Sequence, residues 1–347
     1  MRKARPSDNE ALLDIQNRSP QGTDFVLGTD SSPDYFNRTR PYEDSHVFVA
    51  EEDGQVVGAS SCAFLDTVVS GIPCKATYGY GLMVDPDHRR KGIATRLSEE
   101  VTSYIDERGV DLRFVVIIEG NVPSINLVNK LGYTLLHDFL RVSVFMHKGQ
   151  APAHPEYIRG MEKADAGDVV ELLNEHYRGY DLYVPFTVES LLAEIERYPF
   201  FSLEDIHLYV DEDGLQACLG CWDYNKITRY SVLKIPQEMI DNAAANAHVR
   251  LPFIPELGML FSMYFSHYPA YRAEGTFMDL MMHINEVLHG RGVHYITVPV
   301  NAGTPMHDLL ARFPNVVSNT HLYVKPTEGR EFPDLGKRLV YIDPAHL

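Results

Sequence analysis

The stretch spanning residues 84–95 constrains this chain more than any other, because it joins a strand end, a basic turn and a helix start. An apolar run leads into Asp85-Pro86, where the proline ring fixes φ and favours a turn. Three cationic side chains and Gly92 follow, and a helical pattern of apolar residues begins at Ile93. Free backbone N–H groups at a helix start, backed by the helix dipole, attract anions. The stretch therefore predicts an anion site, with an ordinary surface turn before a helix as the alternative.

The composition is typical of a soluble globular protein. At 347 residues, with 45% hydrophobic and 23% charged residues, the chain has room for two domains and a sizeable core. No apolar run approaches the roughly 20 residues that span a bilayer, and the first residues lack the apolar segment of a signal peptide. Four cysteines in so long a chain do not make a disulfide framework. We therefore expect a location in the reducing cytoplasm.

The charge balance restricts the partners of this protein. A formal net charge of −17 repels nucleic acid and anionic membranes, so we expect neither as a partner. The same charge weakly favours a cationic acceptor such as an amine. The basic residues Arg89, Arg90 and Lys91 stand out against this acidic background. They suit an anionic ligand such as a nucleotide cofactor.

The sequence offers little support for a metal site. Its fifteen histidines are scattered, and no His-Glu-x-x-His motif occurs. Cys218 and Cys221 form a single CxxC within a strand pattern, where alternation turns the two sulfurs to opposite faces. We expect no metal.

Hydrophobic periodicity predicts alternating strands and helices in the first half of the chain. Residues 17–45 are rich in turn formers, and we expect a loop with a short helix there, acting as a lid over an acceptor site. Gly79 and Gly81 inside a strand pattern indicate a bulge or a close backbone approach. The predicted strands cover residues 2–5, 46–51, 56–65, 77–84, 112–118, 133–136 and 140–147, and the predicted helices begin near Pro6 and cover 91–107 and 123–130.

The second half of the chain repeats the pattern of the first. A Pro-rich linker, residues 149–156, separates domain 1–148 from domain 157–347. The segment 207–214 resembles 46–54, and 272–277 aligns with 89–94. At that same offset, Tyr295 to Val300 becomes the counterpart of the strand at 112–118. Matches in register at one constant offset indicate duplication.

The second copy differs from the first at the anion site. Phe277 replaces Ala94, and Ala273-Glu274 replace Arg90-Lys91, which removes positive charge and adds bulk. A Pro-rich insertion, roughly 234–256, precedes a strand predicted at 257–265. We infer that the second half kept the fold and lost the ligand site.

Two motifs in the first half resemble those of the GNAT acetyltransferase superfamily. Val84-x-Pro86-x-x-Arg89-Arg90-x-Gly92-Ile93-Ala94 resembles its acetyl-CoA motif, and Asn121-x-x-Ser124-x-x-Leu127-x-x-Lys130-Leu131-Gly132-Tyr133 its second cofactor motif. A tandem form similar to the plant Hookless-type N-acetyltransferases and their bacterial relatives is indicated by 80–93, 221–223 and 257–261. The resemblance implies an α/β (α+β) fold of two tandem GNAT-like domains. Each would have a central mixed, mostly antiparallel sheet with splayed central strands, flanked by helices.

The same resemblance implies acetyl-CoA as the co-substrate of the first domain. Its pantetheine arm would pair with strand backbone, its diphosphate would lie at the helix start, Asn121 would bind a pantetheine amide and Lys130 the 3′-phosphate. The residues implied to bind it are Leu82, Met83, Val84, Arg89, Arg90, Lys91, Gly92, Ile93, Ala94, Thr95, Asn121, Ser124 and Lys130.

Four residues are candidates for the catalytic acid and base. The superfamily often places a tyrosine acid seven residues after the motif asparagine, where this chain has Val128. Tyr133 and Tyr80 are the substitutes, with core packing as the alternative for Tyr133. Tyr80, Glu119 and His46 are candidates for the base. The alternative for Glu119 is a solvated turn carboxylate, and the recurrence of His46 in the second copy favours a structural role.

These observations predict an acetyl-CoA-dependent N-acetyltransferase that acts by direct attack of a primary amine. The acceptor would be a small molecule or a peptide, bound between the two domains. A homodimer is one option for its assembly. Two alternatives stay open: a non-catalytic acyl-CoA sensor, and a protein-interaction module that uses the second domain as its docking surface.

Overall fold

In the part of the chain that the structure describes, twelve strands form one continuous sheet that runs through both halves of the sequence. The structure is a computed structural model that describes residues 1–22, 26–235, 237, 241 and 256–347. The strands are β1 (Arg2–Lys3), β2 (Val26–Asp30), β3 (Asp44–Glu52), β4 (Gln55–Val69), β5 (Ile72–Val84), β6 (Leu112–Ile118), β7 (Thr134–Phe145), β8 (Ile158–Gly160), β9 (Ile206–Asp211), β10 (Gly214–Asp223), β11 (Arg229–Lys234), β12 (Leu260–Phe261), β13 (Met263–Tyr271), β14 (Tyr295–Asn301) and β15 (Asn315–Pro326). The helices are α1 (Asn9–Asn17), α2 (Ile93–Asp106), α3 (Val122–Lys130), α4 (Ala166–His176), α5 (Val188–Arg197), α6 (Glu274–Gly290) and α7 (Pro305–Leu310).

The two halves exchange their last strands. The order across the large sheet is β1-β3-β4-β5-β6-β15-β7-β14-β13-β10-β9-β8. Strand β15, from the second half, lies between β6 and β7, and β7 lies beside β14. Among the strands that the structure describes, only β5–β6 and β13–β14 pair in parallel, so the sheet is mixed and mostly antiparallel, as expected. Helices flank it on both faces, which gives the GNAT-like α/β fold implied by the motifs.

The strands of the two halves follow one another in the same order when each half is followed inward from its own edge of the sheet, which supports the predicted duplication. Strand β14 occupies in the second half the position of β6 in the first, and each pairs in parallel with its neighbour, β13 or β5. The predicted correspondence of these two strands is therefore confirmed. The predicted boundaries of the two domains stay a prediction.

Amphipathic helices cover the two faces of the sheet. In α2, the residues Ile93, Leu97, Val101 and Ile105 recur at four-residue spacing and are buried against the sheet. Helix α6 covers the same face in the second half, where Leu280 and Ile284 pack on β7 and β14. The opposite face carries α1, α4 and α5. The segment 340–347 and a second sheet, β12-β11-β2, accompany these helices.

Two local predictions differ from the structure. Two closing strands were expected at 133–136 and 140–147, but β7 is one continuous strand. His137 and Asp138 lie between the two predicted strands, and there His137 hydrogen-bonds Asn301 at 2.7 Å and Asp138 hydrogen-bonds His321 at 2.6 Å on the adjacent strands. Within 17–45, expected to be loop and short helix, the short helix is present at Tyr35–Thr39, but strand β2 was missed. The predicted insertion at 234–256 lies mostly outside the described residues.

Candidate functional site

Strands β5 and β6 diverge part-way along their length. They pair in parallel from Ala76 opposite Leu112 to Gly79 opposite Val115, and their pairing ends there. Beyond that point, no ladder hydrogen bond joins β5 to β6 in the described structure. The gap offers backbone donors and acceptors to an extended ligand that carries amide groups.

A β-bulge marks the start of this gap. Between the pairs Ala59–Met83 and Ser61–Tyr80, strand β5 contains one residue more than β4. Gly81 lies in this bulge with φ +64°, a left-handed conformation that side chains rarely adopt. A Cβ at Gly81 would lie 3.4 Å from the Ser61 hydroxyl and 3.6 Å from the Tyr35 hydroxyl. The bulge predicted from the two strand glycines is therefore confirmed at Gly81.

The loop between β5 and α2 is fixed at its base. Asp85 is buried, its carboxylate accepts a hydrogen bond from the Asp87 backbone N–H at 2.8 Å, and it forms an ion pair with Arg18. Burial opposes ionisation of Asp85, but these hydrogen bonds and the Arg18 charge outweigh it and lower its pKa. Arg89 donates to the Val84 carbonyl oxygen at 3.2 Å and to the Ser19 hydroxyl at 3.1 Å. Asp85 and Arg89 thus serve to hold the loop.

The outer part of the loop presents an open cationic helix start. Arg90 and Lys91 are exposed, and neither forms an ion pair with a described residue. Gly92 is the N-cap of α2 at φ +77°, and no described side chain caps the helix there. The first turn of α2, which contains Ala94 and Thr95, therefore keeps free N–H groups beside two cations. This arrangement can bind a phosphate or diphosphate.

The second predicted motif begins on the other side of the gap. Asn121 is the N-cap of α3 and accepts a hydrogen bond from the Ser124 N–H at 3.3 Å, which leaves its amide nitrogen free to donate. Lys130 is exposed in the last turn of that helix. Val128, at the position expected for a tyrosine acid, is buried against Ile117 and Tyr323.

Three of the four catalytic candidates, Tyr80, Tyr133 and Glu119, lie in different surroundings. Tyr80 packs beside Tyr78 on the face that carries α1, and its buried hydroxyl has no hydrogen-bond partner among the described residues. Tyr133 packs against Ile117 on the opposite face, where burial raises its pKa to about 12. Glu119 is exposed at the end of β6 and accepts a hydrogen bond from the Asn319 side chain at 2.8 Å. The structure does not bring the three together.

The tyrosine on the α1 face belongs to what we call the tyrosine cluster, formed by Tyr42, Tyr78 and Tyr80. Their ring centroids lie 5.3–6.1 Å apart. Burial raises the pKa of Tyr80, and the positive charge of Arg38 only partly opposes this effect. A phenol in this environment stays protonated at neutral pH, so Tyr80 can supply a proton but is poorly suited to be a base.

The corresponding gap in the second half is closed. Strands β13 and β14 also part after a short parallel ladder, and β13 contains a matching bulge. Its left-handed residue, at φ +55°, is Tyr268 instead of glycine, and the side chain is fully buried. Tyr268 donates to Glu194 at 2.9 Å, and the cavity left at this point measures about 30 Å³. Such a cavity holds a water molecule at most, which agrees with the inferred loss of the ligand site.

The Glu194 carboxyl should make stability depend on pH. Burial and the charge of Asp343 raise its pKa to about 8. In the unfolded chain the group ionises near 4.5, so the folded protein holds the extra proton between these values, and stability falls as pH rises through that window. We expect Glu194→Gln to raise the free energy of unfolding at pH 8, on the order of a few kcal/mol. Urea titrations of the wild type and the variant from pH 5 to pH 8 measure this difference in the free energy of unfolding.

The exposed Glu189 on the same helix provides the control for this test. Glu189→Gln should retain the wild-type slope of stability against pH, since its carboxyl is solvated. An unchanged slope in Glu194→Gln would contradict the assignment.

Comparisons with known proteins identify the fold. Residues 9–133 match the acetyltransferase (GNAT) family. This segment belongs to the GNAT family. It contains both splayed strands, the cationic helix start and helix α3. A search of curated protein sequences finds no significant match.

Solved structures resemble the whole chain, beyond the GNAT segment. A GCN5-related N-acetyltransferase from Sphaerobacter thermophilus has a TM-score of 0.59 at 16% identity, covering 96% of this chain and 97% of its own. N-myristoyltransferase from Saccharomyces cerevisiae with bound myristoyl-CoA has a TM-score of 0.61 at 11% identity, covering 96% and 82%. A glucosamine N-acetyltransferase region of a fungal multidomain β-N-acetylglucosaminidase has a TM-score of 0.61 at 14% identity. The match covers 93% of this chain but only 37% of that enzyme.

At these identities the structural likeness shows the fold alone, and the likeness to Hookless-type proteins stays a prediction. Among the described residues of the whole chain, no helix is long and apolar enough to cross a membrane. The same residues contain no cluster of three histidine, cysteine or acidic side chains able to hold a metal ion. Cys218 and Cys221 face opposite sides of β10, as predicted.

Sequence reasoning missed two cationic residues near the tyrosine cluster. Arg38 lies in the short helix of the predicted lid, and Arg141 lies in the middle of β7. The available signal was a charged residue inside an otherwise apolar strand pattern, which in a central strand indicates a special environment.

Proposed function

We propose that this protein is an acetyl-CoA-dependent N-acetyltransferase, with its cofactor site in the GNAT segment alone. The observation that carries the proposal is the gap between β5 and β6, which leads to an uncapped cationic helix start. Both features fit acetyl-CoA, since its pantetheine arm carries amides and its diphosphate is anionic. The closed gap in the second half supports a single cofactor site. When bound, acetyl-CoA supplies the thioester whose acetyl group is transferred.

Different residues along the gap would bind different parts of the cofactor. The backbone of Leu82, Met83 and Val84 would bind the pantetheine amides, assisted by the free amide nitrogen of Asn121. At the diphosphate, the N–H groups at Ile93, Ala94 and Thr95 would act together with Arg90 and Lys91. Lys130 would bind the 3′-phosphate. Ser124 and Arg89 instead support the site, since they engage Asn121 and the loop base.

Proton transfer would use groups on both sides of the gap. Tyr80 is our choice for the acid, because its protonated, buried hydroxyl has no partner and can donate to the departing thiolate. Tyr133 stays the second candidate acid. For the incoming ammonium, Glu119 at the end of β6 would accept the proton in an exposed position. The acceptor would be a primary amine of a small molecule or a peptide.

A non-catalytic acyl-CoA sensor is the second candidate function. It is favoured by Val128, which fills the expected position of the acid with a buried aliphatic side chain. The cytoplasmic location, a homodimer and the predicted docking role of the second domain stay predictions.

Release of coenzyme A, detected with a thiol-reactive dye, separates the two functions. Acetyl-CoA would be supplied with a panel of amino acids, polyamines, amino sugars and peptides. We expect amine-dependent release with at least one class of acceptor. Saturable binding of acetyl-CoA without release for any amine would favour the sensor and contradict the enzyme.

A further inference from the structure

Strand β15 has a neighbour on both sides along only part of its length. It pairs with β7 from Asn315 onward, but with β6 only from Thr320 onward. The reason is that β6 ends at Ile118, which lies opposite Thr320. In the described structure, residues 315–319 therefore have β7 on one side and no strand on the other. We call residues 315–319 the open edge.

The open edge carries backbone groups that can bind another strand. Alternate residues of an antiparallel strand bond to opposite neighbours. The Phe145 N–H donates to the Pro314 carbonyl oxygen at 2.9 Å, so Pro314 and every second residue after it face β7. Asn315 and Val317 therefore turn their N–H and C=O groups toward the side that lacks a strand. No backbone hydrogen bond joins these groups to another described residue.

The open edge begins directly beside Glu119. The Glu119 N–H donates to the Asn319 carbonyl oxygen at 3.0 Å, and the Glu119 carboxylate accepts a hydrogen bond from the Asn319 side chain at 2.8 Å. Asn319 thus faces away from β7, which confirms the alternation along the edge. After Glu119 the chain turns away from the sheet into α3. The residue proposed to take the proton of the acceptor amine therefore marks one end of the open edge.

The side chains around the open edge are apolar and exposed. Val316 is 48% exposed and Val317 is 43% exposed, although successive residues of a strand point to opposite faces of the sheet. Ile118 at the end of β6 and Val122 at the start of α3 are exposed as well. None of the residues 315–319 is charged. An uncharged strand edge with exposed apolar side chains is a template for pairing with another chain.

Other edges of the described sheet are protected against such pairing. The outermost strands, β1 and β8, have two and three residues and carry basic side chains. The counterpart of the open edge in the second half is residues 134–138 of β7, which extend beyond the end of β14. There the segment around Gly336 packs against the strand, since a Cβ at Gly336 would lie 3.3 Å from the Leu136 carbonyl oxygen. The open edge has neither form of protection.

An extended peptide fits the open edge in one orientation. Running antiparallel to β15, it would continue the direction of β6, and its first residue would lie opposite Ser318, one position beyond Glu119. Its second and fourth residues would then exchange backbone hydrogen bonds with Val317 and Asn315. The N-terminal amine would lie beside Glu119 and point away from β15, into the gap between β5 and β6. A small amine would leave the backbone groups of the edge unpaired.

We propose that the open edge binds a peptide as an added antiparallel strand, so that the acceptor is the N-terminal amine of a peptide. This inference rests on the proposed acetyltransferase function and selects one of its two acceptor classes. Main-chain hydrogen bonds would supply the affinity, and the exposed valines would favour apolar side chains.

The transfer would begin with loss of one ammonium proton to Glu119. The amine nitrogen would then bond to the acetyl carbon while the C–S bond breaks. The thiolate would take the proton of the Tyr80 hydroxyl, and the second proton lost by the nitrogen would restore that hydroxyl. The products are the N-acetylated peptide, coenzyme A and one proton released from Glu119.

Backbone N-methylation tests the added strand without requiring turnover. The probe is the hexapeptide Ala-Val-Thr-Val-Thr-Lys, with a free N-terminal amine and a fluorophore on its lysine, titrated by anisotropy with the full-length protein and coenzyme A. Methylating the N–H of its second or fourth residue should weaken binding at least about 10-fold, because these groups would face β15. The third N–H would face away from β15, so its methylation is the matched control and should have a much smaller effect.

Val317→Pro removes the matching donor from the protein. The Val317 N–H points away from β7, so proline breaks no ladder hydrogen bond there and Tm should change little. The affinity for the unmodified hexapeptide should fall at least about 10-fold. Val317→Thr keeps the N–H and the branched side chain, so it should weaken binding far less than proline does. If Val317→Pro does not fold, the N-methylated peptides still decide the question on the wild-type protein.

The outcomes distinguish this inference from the proposed function. Equal effects of the three N-methyl groups, or no saturable binding of the hexapeptide at millimolar concentration, would overturn the added strand, even if a small amine is acetylated. A homodimer that Val317→Pro converts to monomers would overturn it too, because a second copy of the chain would then occupy the open edge. Loss of binding at the second and fourth positions alone would uphold it, even if no acetyl transfer is detected.

Discussion

Replacing Gly92 with glutamate is expected to abolish detectable acetyl-CoA binding and leave the fold intact. A Cβ at Gly92 would meet nothing within 4 Å, so the change causes no clash. The left-handed φ of +77° adds strain of about 1–2 kcal/mol. The new carboxylate would lie at the positive end of α2, where it stabilises the helix but repels the diphosphate. Calorimetry should show affinity at least about 100-fold weaker, equal to about 3 kcal/mol.

The neutral substitution Gly92→Gln separates charge from strain. It imposes the same backbone conformation and nearly the same volume, so it should weaken binding much less than glutamate does. Circular dichroism and Tm confirm that both variants are folded. Wild-type affinity in Gly92→Glu would contradict a diphosphate site at this helix start.

Tyr80→Phe is expected to lower kcat by about 10²–10⁴, the range typical of a lost general acid. Its hydroxyl is buried without a partner, so its removal should not destabilise the protein. KM for acetyl-CoA should stay unchanged, because the hydroxyl acts on the departing thiolate. The measurement is steady-state coenzyme A release with an acceptor identified from the amine panel.

Tyr133→Phe, made in parallel, decides between the two candidate acids. The two rings occupy opposite faces of the sheet, so only one is expected to serve. A normal kcat in Tyr80→Phe together with a loss in Tyr133→Phe would contradict the assignment of Tyr80. A lower Tm in Tyr80→Phe would show that the Tyr80 hydroxyl has a structural role instead.

The parts of the fold that depend on local sequence could be predicted. The turn at Asp85-Pro86 and the four-residue spacing of apolar residues in α2 depend only on residues close together in the sequence. The bulge at Gly81 could be anticipated from the glycine itself. The duplicated strand at Tyr295–Asn301 was recognisable because its spacing from the preceding helix matches that in the first half.

The pairing of distant strands could not be predicted in this way. Strands β7 and β15 have patterns that fit any central position, so nothing local indicates that the halves exchange them. For the same reason the break predicted between residues 136 and 140 was wrong, because the partners of His137 and Asp138 lie on other strands.

One half of the duplicated fold is expected to bind acetyl-CoA, and the other half is expected to have lost the site. Calorimetric titration of acetyl-CoA into the wild-type protein tests this directly, because its stoichiometry counts the sites. We expect one acetyl-CoA per chain. Two sites per chain, or one site that persists unchanged in Gly92→Glu, would contradict the account.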